Sequence, residues 1–259
     1  MQRRWLPLYL CEVPERFQCR AVFQYRRAAG RPVDVRRPFG LDSALWEFWF
    51  TYLFESHRPC HNPHMAKLYF NYSTMNAGKS TVLLQASHNY RERGMETYLL
   101  TAQFDNRAGD GRIASRIGIG QDADTFAAGE DLFAKIEARL SQGQVACVFI
   151  DEAQFLDKAQ VWQLARAVDD LGVPIMCYGL RVDFQGELFP GSAALLALAD
   201  EMREVRTICH CGKKATMVIR QGPDGKALLE GDQVQIGGNE TYVSLCRRHW
   251  REAVGDRTA

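Results

Sequence analysis

Leu68-Tyr-Phe-Asn-Tyr-Ser-Thr-Met-Asn-Ala-Gly-Lys-Ser80 is the stretch on which the reading of this chain turns. Its apolar and aromatic residues (Leu68, Tyr69, Phe70, Tyr72) predict a buried strand, which feeds a short turn ending in Gly78-Lys79-Ser80. Thr81 to Arg93 then carries helical character, with Val82, Leu83, Ala86 and Tyr90 at three- and four-residue spacing. Strand, phosphate-sized turn and helix make the P-loop arrangement: turn N–H groups and the positive end of the helix dipole cradle polyphosphate. Lys79 would neutralise the β- and γ-phosphates, and the Ser80 hydroxyl would ligate Mg²⁺. One position departs from the pattern, since Ser73 stands where the motif wants its first glycine. Taken alone, the stretch is also compatible with a Gly-Lys-Ser opening an ordinary helix.

A second signal lies 71 residues on. Val145 to Ile150 is continuously apolar, as expected of a strand buried on both faces, and it ends in Asp151-Glu152. An acid at the carboxyl end of a strand beside the P-loop strand would sit next to Mg²⁺ and the γ-phosphate. Asp151 is placed to hold that ion through water, and Glu152, one residue further, to take a proton from an incoming hydroxyl.

Around these two motifs the chain alternates strands and helices. Strands are expected at 97–101, 173–178 and 204–208, the last closing the core, and helices at 132–140, 159–168 and 191–199. Residues 104–120 read as a loop in which Asp105 and Arg107 could face phosphate, a solvated loop being the competing account. Residues 179–186 read as a loop at a strand's carboxyl end, where Leu180 and Phe184 could wall a pocket. The expected fold class is α/β, a P-loop NTPase-like parallel sheet with helices on both faces.

After this core come Cys209-His-Cys211 and, with 34 residues between, Cys246-Arg-Arg-His249. Two close pairs of this kind match a structural, four-coordinate Zn²⁺ site, with His210 as a competing ligand. Such a closed site would pin the long loop between the pairs, which a lobe of this size could not hold from its own core. Organisation is therefore expected as 65–205 for the P-loop domain and 206–259 for a small zinc-binding lobe.

Residues 1–64 differ in character, with ten Arg, no Lys and three of the five Trp. They are expected to be poorly ordered, as an appended arm, an unpacked extension or, in the favoured reading, sequence upstream of a true start at Met65. Their apolar stretch, 41–54, is too short to span a bilayer, and six acidic residues argue against a transit peptide. A net charge of +1 gives no overall basic excess for nucleic acid or membrane.

Four ordered motifs carry a family resemblance: Met-Asn-Ala-Gly-Lys-Ser-Thr at 75–81, Asp-Glu-Ala-Gln-Phe at 151–155, Tyr-Gly-Leu-Arg-x-Asp-Phe-x-Gly-Glu-Leu-Phe at 178–189 and Ile-Gly-Gly-Asn-Glu-x-Tyr at 236–242. With the Cys/His pairs, residues 65–252 closely resemble the zinc-containing (type II) thymidine kinases, particularly the bacterial ones. The resemblance implies transfer of the ATP γ-phosphoryl group to the 5′-hydroxyl of deoxythymidine, in the cytoplasm, by a homotetramer inhibited by dTTP, with no nucleic-acid or membrane partner. Ser73, Thr74, Met75, Asn76, Ala77, Gly78, Lys79 and Ser80 would bind ATP, together with Asp151, Glu152, Ala153 and Gln154. Glu152 would be the catalytic base. Phe155, Leu180, Phe184 and Tyr242 would line the thymidine site, with the loop Val234, Gln235, Ile236, Gly237 and Gly238 as a lasso over the base. Cys209, Cys211, Cys246 and His249 would hold zinc. Met217 lies near a pocket position that varies in the family. A zinc-ribbon P-loop NTPase acting on nucleic acid is the alternative; Lys213, Lys214, Arg220, Lys226, Arg247 and Arg248 supply basic charge, but acids are interspersed and no aromatic ladder accompanies them.

Overall fold

Strand β1 (Leu68–Ser73) runs parallel to β7 (Ile175–Leu180) on one side and to β8 (Glu201–Glu204) on the other. The computed structural model describes residues 66–103, 111–233 and 241–255, all within one unit spanning Asn62–Ala259. Its central sheet is six-stranded and wholly parallel, in the order β5-β2-β6-β7-β1-β8, with β2 at Thr97–Ala102, β5 at Asp124–Phe126 and β6 at Cys147–Ile150. The segment 1–65 and its expected character lie outside the described residues, as do 104–110 with Asp105 and Arg107.

Side-chain alternation explains why helices cover both faces, because successive strand residues point to opposite sides. Phe149 and Tyr178 pack with Leu83 and Leu84 of helix α1 (Lys79–Arg91) on one face. Val148, Ile150, Ile175 and Cys177 turn the other way, with Leu68 and Phe70. There they meet Leu132 and Ile136 of α2 (Leu132–Ser141), Val161 and Leu164 of α3 (Lys158–Leu171), and Leu195 of α4 (Pro190–Leu198). The central strand β6 is accordingly buried at every position. Local chemistry sets the helix ends. Asp157 and Gln160 form a reciprocal capping box at the start of α3, and Gly172, in the left-handed conformation at φ 65°, ends it.

Three expectations change. The strand closing the core is Glu201–Glu204, not 204–208: it pairs with β1 from Tyr69↔Glu201 onward. As an edge strand it is only partly buried and reads Glu-Met-Arg-Glu, without the apolar run that marks an interior strand. Residues 207–208 instead form β9 (Thr207–Ile208), antiparallel to β10 (Lys214–Ala215) in the small lobe. Second, the region after 110 is not plain loop, because β3 (Arg112–Ala114) and β4 (Gly120–Asp122) form an antiparallel pair. Three-residue strands with exposed polar positions offer too short an alternation to detect. Third, β6 is not the neighbour of β1. The chain leaves β6 through α3 and returns as β7, which lies between them.

The small lobe adds β11 (Met217–Arg220), antiparallel to β12 (Tyr242–Leu245), and helix α5 (Arg247–Val254). Its apolar cluster is Cys209, Ala215, Ile219, Leu245, Cys246 and Val254, two of them thiols that a metal could claim. So few small side chains bury little area, and a lobe of this kind needs a further staple. No helix among the described residues is long and apolar enough to cross a membrane.

Candidate functional site

The turn between β1 and α1 is built from two left-handed residues, Asn76 (φ 61°) and Gly78 (φ 81°). They curl the backbone before the first turn of α1, whose N–H groups have no intrahelical partners and face the turn. Lys79 is buried, and its Nζ donates to the Thr74 carbonyl at 3.0 Å, folding the side chain back over the loop. Outside groups hold the turn. Ser73 Oγ donates to the Val205 carbonyl, Thr74 Oγ1 to the Met217 carbonyl at 3.1 Å, and Ser244 Oγ to the Met75 carbonyl at 2.6 Å. Arg116, beside the β3–β4 pair, donates to the Asn76 side chain. The β11–β12 pair is thus tied directly to this turn.

Asp151 follows β6, its N–H bonded to the Leu100 carbonyl at 2.8 Å. Burial, helped by the neighbouring Glu152 charge, pushes its carboxyl up to about 7, while the Ser80 hydroxyl and Lys79 favour the carboxylate. The contact with Ser80 shows that Asp151 reaches the start of α1 although β7 intervenes; α1 packs across β1, β2 and β7, so its first turn overhangs the gap. A divalent cation there would replace the lost hydration of the carboxylate, so Ser80 and Asp151 are chemically suited to one.

Glu152 adopts a left-handed backbone conformation (φ 53°), which costs a residue with a side chain about 1–2 kcal/mol. The tight 3₁₀ turn that follows, Ala153–Phe155, is held in place from outside. Gln154 Nε2 donates to the Glu152 carboxylate, and Gln154 Oε1 accepts from the Leu180 N–H at 2.9 Å. Two glycines permit this packing. A Cβ at Gly179 would lie 2.9 Å from the Gln154 nitrogen, and one at Gly191 only 2.6 Å from the Ala153 and Leu156 carbonyls. The turn therefore aims the Glu152 side chain independently of Asp151, although the two are adjacent in sequence.

On the other side, the loop after β7 folds on Asp183, whose Oδ1 accepts from Gln185 N–H at 2.8 Å and Glu187 N–H at 2.9 Å. Phe184 is buried in this loop, and its carbonyl and that of Val218 both accept from the Trp250 indole, at 3.3 and 3.1 Å. Tyr242 is buried on β12. The guanidinium of Arg220 lies 4.1 Å from the Phe184 ring centroid and 5.4 Å from that of Tyr242, so these two sequence-expected residues converge. Phe155 stacks edge-on with Phe189, ring centroids 6.3 Å apart, and Leu180 ends β7 beside Gln154. Met217 is buried facing Gly186. Val234, Gln235, Ile236, Gly237 and Gly238 lie outside the described residues.

Cys209, Cys211, Cys246 and His249 bring their ligand atoms within 4.8 Å of one another. Cys211 and Cys246 Sγ atoms are 3.9 Å apart, and His249 Nδ1 is 3.3 Å from Cys209 Sγ and 3.6 Å from Cys246 Sγ. A tetrahedral ion with bonds of about 2.0–2.3 Å needs its ligands about 3.3–3.8 Å apart, so this cluster could hold a metal. Burial opposes ionisation of Cys209, but the main-chain N–H groups of Cys211 and Cys246, with His249, bring its thiol down to about 6. His210 is not part of the group; its ring stacks on His249 at 4.3 Å.

The thymidine kinase family model matches residues 66–250. The chain belongs to the thymidine kinase family. Relatives named thymidine kinase include one from Jannaschia sp., 77% identical over 74% of this chain and 98% of its own length, and one from Ruegeria pomeroyi, 78% identical over 74% and 97%. A third, from Shewanella oneidensis, is 57% identical over 74% of this chain and 100% of its own length. Among solved structures, the Pif1 helicase of Candida albicans aligns over 66% of this chain and 40% of its own at a TM-score of 0.33 and 16% identity, a likeness that carries no argument. The protein is thus a kinase, an enzyme of thymidine phosphorylation for which ATP is the implied donor. Arg220, Ser244, Asp183 and the glycines 179 and 191 were not singled out from the sequence as parts of its site. Gly179 and Asp183 stand inside the motif at 178–189, and Arg220 closes the apolar run Met217–Arg220; Ser244 and Gly191 carry no comparable local signal.

Proposed function

We propose that the kinase transfers the γ-phosphoryl group of ATP to the 5′-hydroxyl of deoxythymidine, giving dTMP, with Glu152 as general base. The observation that carries this reading is the meeting of Lys79, Ser80 and Asp151 at one end of the parallel sheet, with Glu152 beside them on a turn of its own. Residues 73–80 would hold the ATP phosphates through main-chain N–H groups, with Lys79 swinging from the Thr74 carbonyl to phosphate oxygen. Ser80 and Asp151 would hold Mg²⁺, whose charge offsets that of the phosphates. Ala153 and Gln154 support Glu152, which would take the 5′-hydroxyl proton as the oxygen attacks phosphorus. Phosphoryl transfer asks mainly for positioning and charge neutralisation, and these residues supply both.

The nucleoside would lie against Phe155, Leu180, Phe184 and Tyr242, covered by residues 234–238, with water excluded to suppress wasteful ATP hydrolysis. Cys209, Cys211, Cys246 and His249 would hold structural Zn²⁺, which supplies the lobe's missing rigidity. Inhibition by dTTP, assembly as a homotetramer and a cytoplasmic setting extend the same reading and rest on family likeness. So does the division at about residue 205 between the kinase core and the lobe.

Glu152→Gln tests the base. Turnover should fall about 10²- to 10⁴-fold, the range for loss of a general base, while thymidine still binds. Near-normal turnover would refute the role. Measuring ATP consumption with a panel of deoxynucleosides and with single-stranded DNA tests the substrate, and stimulation by DNA alone would refute the nucleoside-kinase reading.

A further inference from the structure

Arg220 is only 2% exposed, more deeply buried than Lys79, Asp151 or Asp183. A guanidinium cannot shed its proton in a protein, so its charge is carried out of water in full. Its partners among the described residues are neutral. Nε donates to the Tyr242 hydroxyl at 3.1 Å, one terminal nitrogen donates to the Gln233 carbonyl at 3.3 Å, and the cation lies over the rings of Phe184 and Tyr242. A buried ion held this way is no better for stability than an apolar side chain of the same reach. Its geometric effect is more specific, because a planar, forked cation fixes two rings and a strand of chain at once.

The chain around it is organised to keep this grip. After leaving β11, it returns to hydrogen-bond the Arg220 carbonyl through the Leu228 N–H at 2.7 Å. It then passes over the guanidinium at Gly231 (φ 134°), where an added Cβ would come within 3.4 Å of an Arg220 nitrogen. Gln233 is next held twice: its carbonyl by Arg220, and its side-chain amide by Asp183 Oδ2 at 2.9 Å. Asp183 is the residue on which the Phe184 loop folds. A single buried cation thus joins the loop after β7, the β11–β12 pair and the point where the chain enters residues 234–240.

We propose that Arg220 is a positioning residue for the nucleoside, fixing Phe184 and Tyr242 as a preformed wall and holding Gln233 against Asp183. The inference rests on the assignment of Phe184 and Tyr242 to the thymidine site made above. Arg220 acts through these residues. Its loss therefore raises the ordering cost of thymidine binding and leaves the phosphate turn, which it does not contact, as it was.

The test uses the full chain carrying Arg220→Met, Arg220→Lys, Tyr242→Phe and the Arg220→Met/Tyr242→Phe pair. KM for thymidine and for ATP, kcat, metal content and melting temperature are measured for each. Arg220→Met should raise the thymidine KM about 10- to 100-fold, the range for losing a charge-assisted hydrogen bond, with the ATP KM within about twofold. Arg220→Lys should rescue only part of the loss, since an ammonium cannot span two rings and two oxygens. Tyr242→Phe should add little on top of Arg220→Met, because both remove the same hydrogen bond. Parallel rises in both KM values, full additivity of the pair, or an unchanged thymidine KM in a folded Arg220→Met protein would overturn the proposal. Should Arg220→Met fail to fold, an unchanged thymidine KM in Arg220→Lys overturns it equally. A wild-type protein that does not phosphorylate thymidine overturns the site assignment and this inference together; normal wild-type turnover with unmoved KM values overturns this inference alone.

Discussion

Removing one hydroxyl, Ser244→Ala, should weaken ATP more than thymidine, although Ser244 belongs to the small lobe and precedes two cysteine-cluster residues by no more than five positions. Ser244 Oγ donates to the Met75 carbonyl at 2.6 Å and lies 3.3 Å from Thr74 Oγ1, itself committed to the Met217 carbonyl. Alanine leaves the Met75 carbonyl without this donor in a half-buried position. The penalty falls between the net worth of a hydrogen bond and the full cost of burying an unsatisfied group, about 1–1.5 kcal/mol. The β11–β12 ladder keeps its pairing of Val218 with Ser244, so the loss is felt by the phosphate turn and not by the strand. At about 1.4 kcal/mol per tenfold, the ATP KM should rise about 5- to 12-fold. The assay is steady-state kinetics with ATP varied at saturating thymidine, then the reverse, with metal content confirming that the cysteine cluster is intact. A thymidine KM that rises as far as the ATP KM would refute the reasoning. So would an unchanged ATP KM, since the hydroxyl would then be filling space and nothing more.

Two further outcomes are expected. Cys246→Ser should reduce bound zinc well below one per chain by elemental analysis and lower the melting temperature, because the lobe's apolar cluster is too small to hold it; zinc retained at one per chain would remove Cys246 from the ligand set. Gly191→Ala should destabilise the protein by about 1–3 kcal/mol and depress kcat, since its Cβ would press at 2.6 Å on carbonyls of the turn that carries Glu152; urea unfolding and turnover read the two effects, and a neutral substitution would mean that the turn yields freely.

The strand, turn and helix from Leu68 to Arg91 and the strand that ends at Asp151-Glu152 were legible because each is a local pattern, an interior apolar strand followed at once by polar residues. Interior strands announce themselves: β6 is buried at every position, and its sequence is correspondingly apolar. Edge strands do not. Glu201–Glu204 closes the sheet through main-chain bonds to β1 while its side chains are only partly buried, so its sequence lacks the apolar signal that 204–208 carries. The order of strands was equally hidden. Nothing in Val145–Ile150 reveals that β7 would come to lie between it and β1. Gly179 opens an expected loop and Gly191 an expected helix, and their meaning appears only when the Gln154 and Ala153 backbones arrive against them.

What could not be read locally is the way the two halves of the site hold one another. The phosphate turn has few internal bonds and takes its support from Val205, Met217 and Ser244, which follow it by more than 130 residues. The small lobe in turn has a slight core and leans on the kinase core through Trp250, whose indole bonds the Phe184 carbonyl. Cross-bracing of this kind means that, on the proposed site assignment, disorder introduced in the lobe would reach the ATP side through Ser244 and the thymidine side through Arg220, by two separate sets of hydrogen bonds. Loss of the metal should therefore impair both substrates together, whereas Ser244→Ala and Arg220→Met should each impair one. That difference in pattern separates a general loosening of the lobe from the two specific connections, and it requires no structure of a complex to observe.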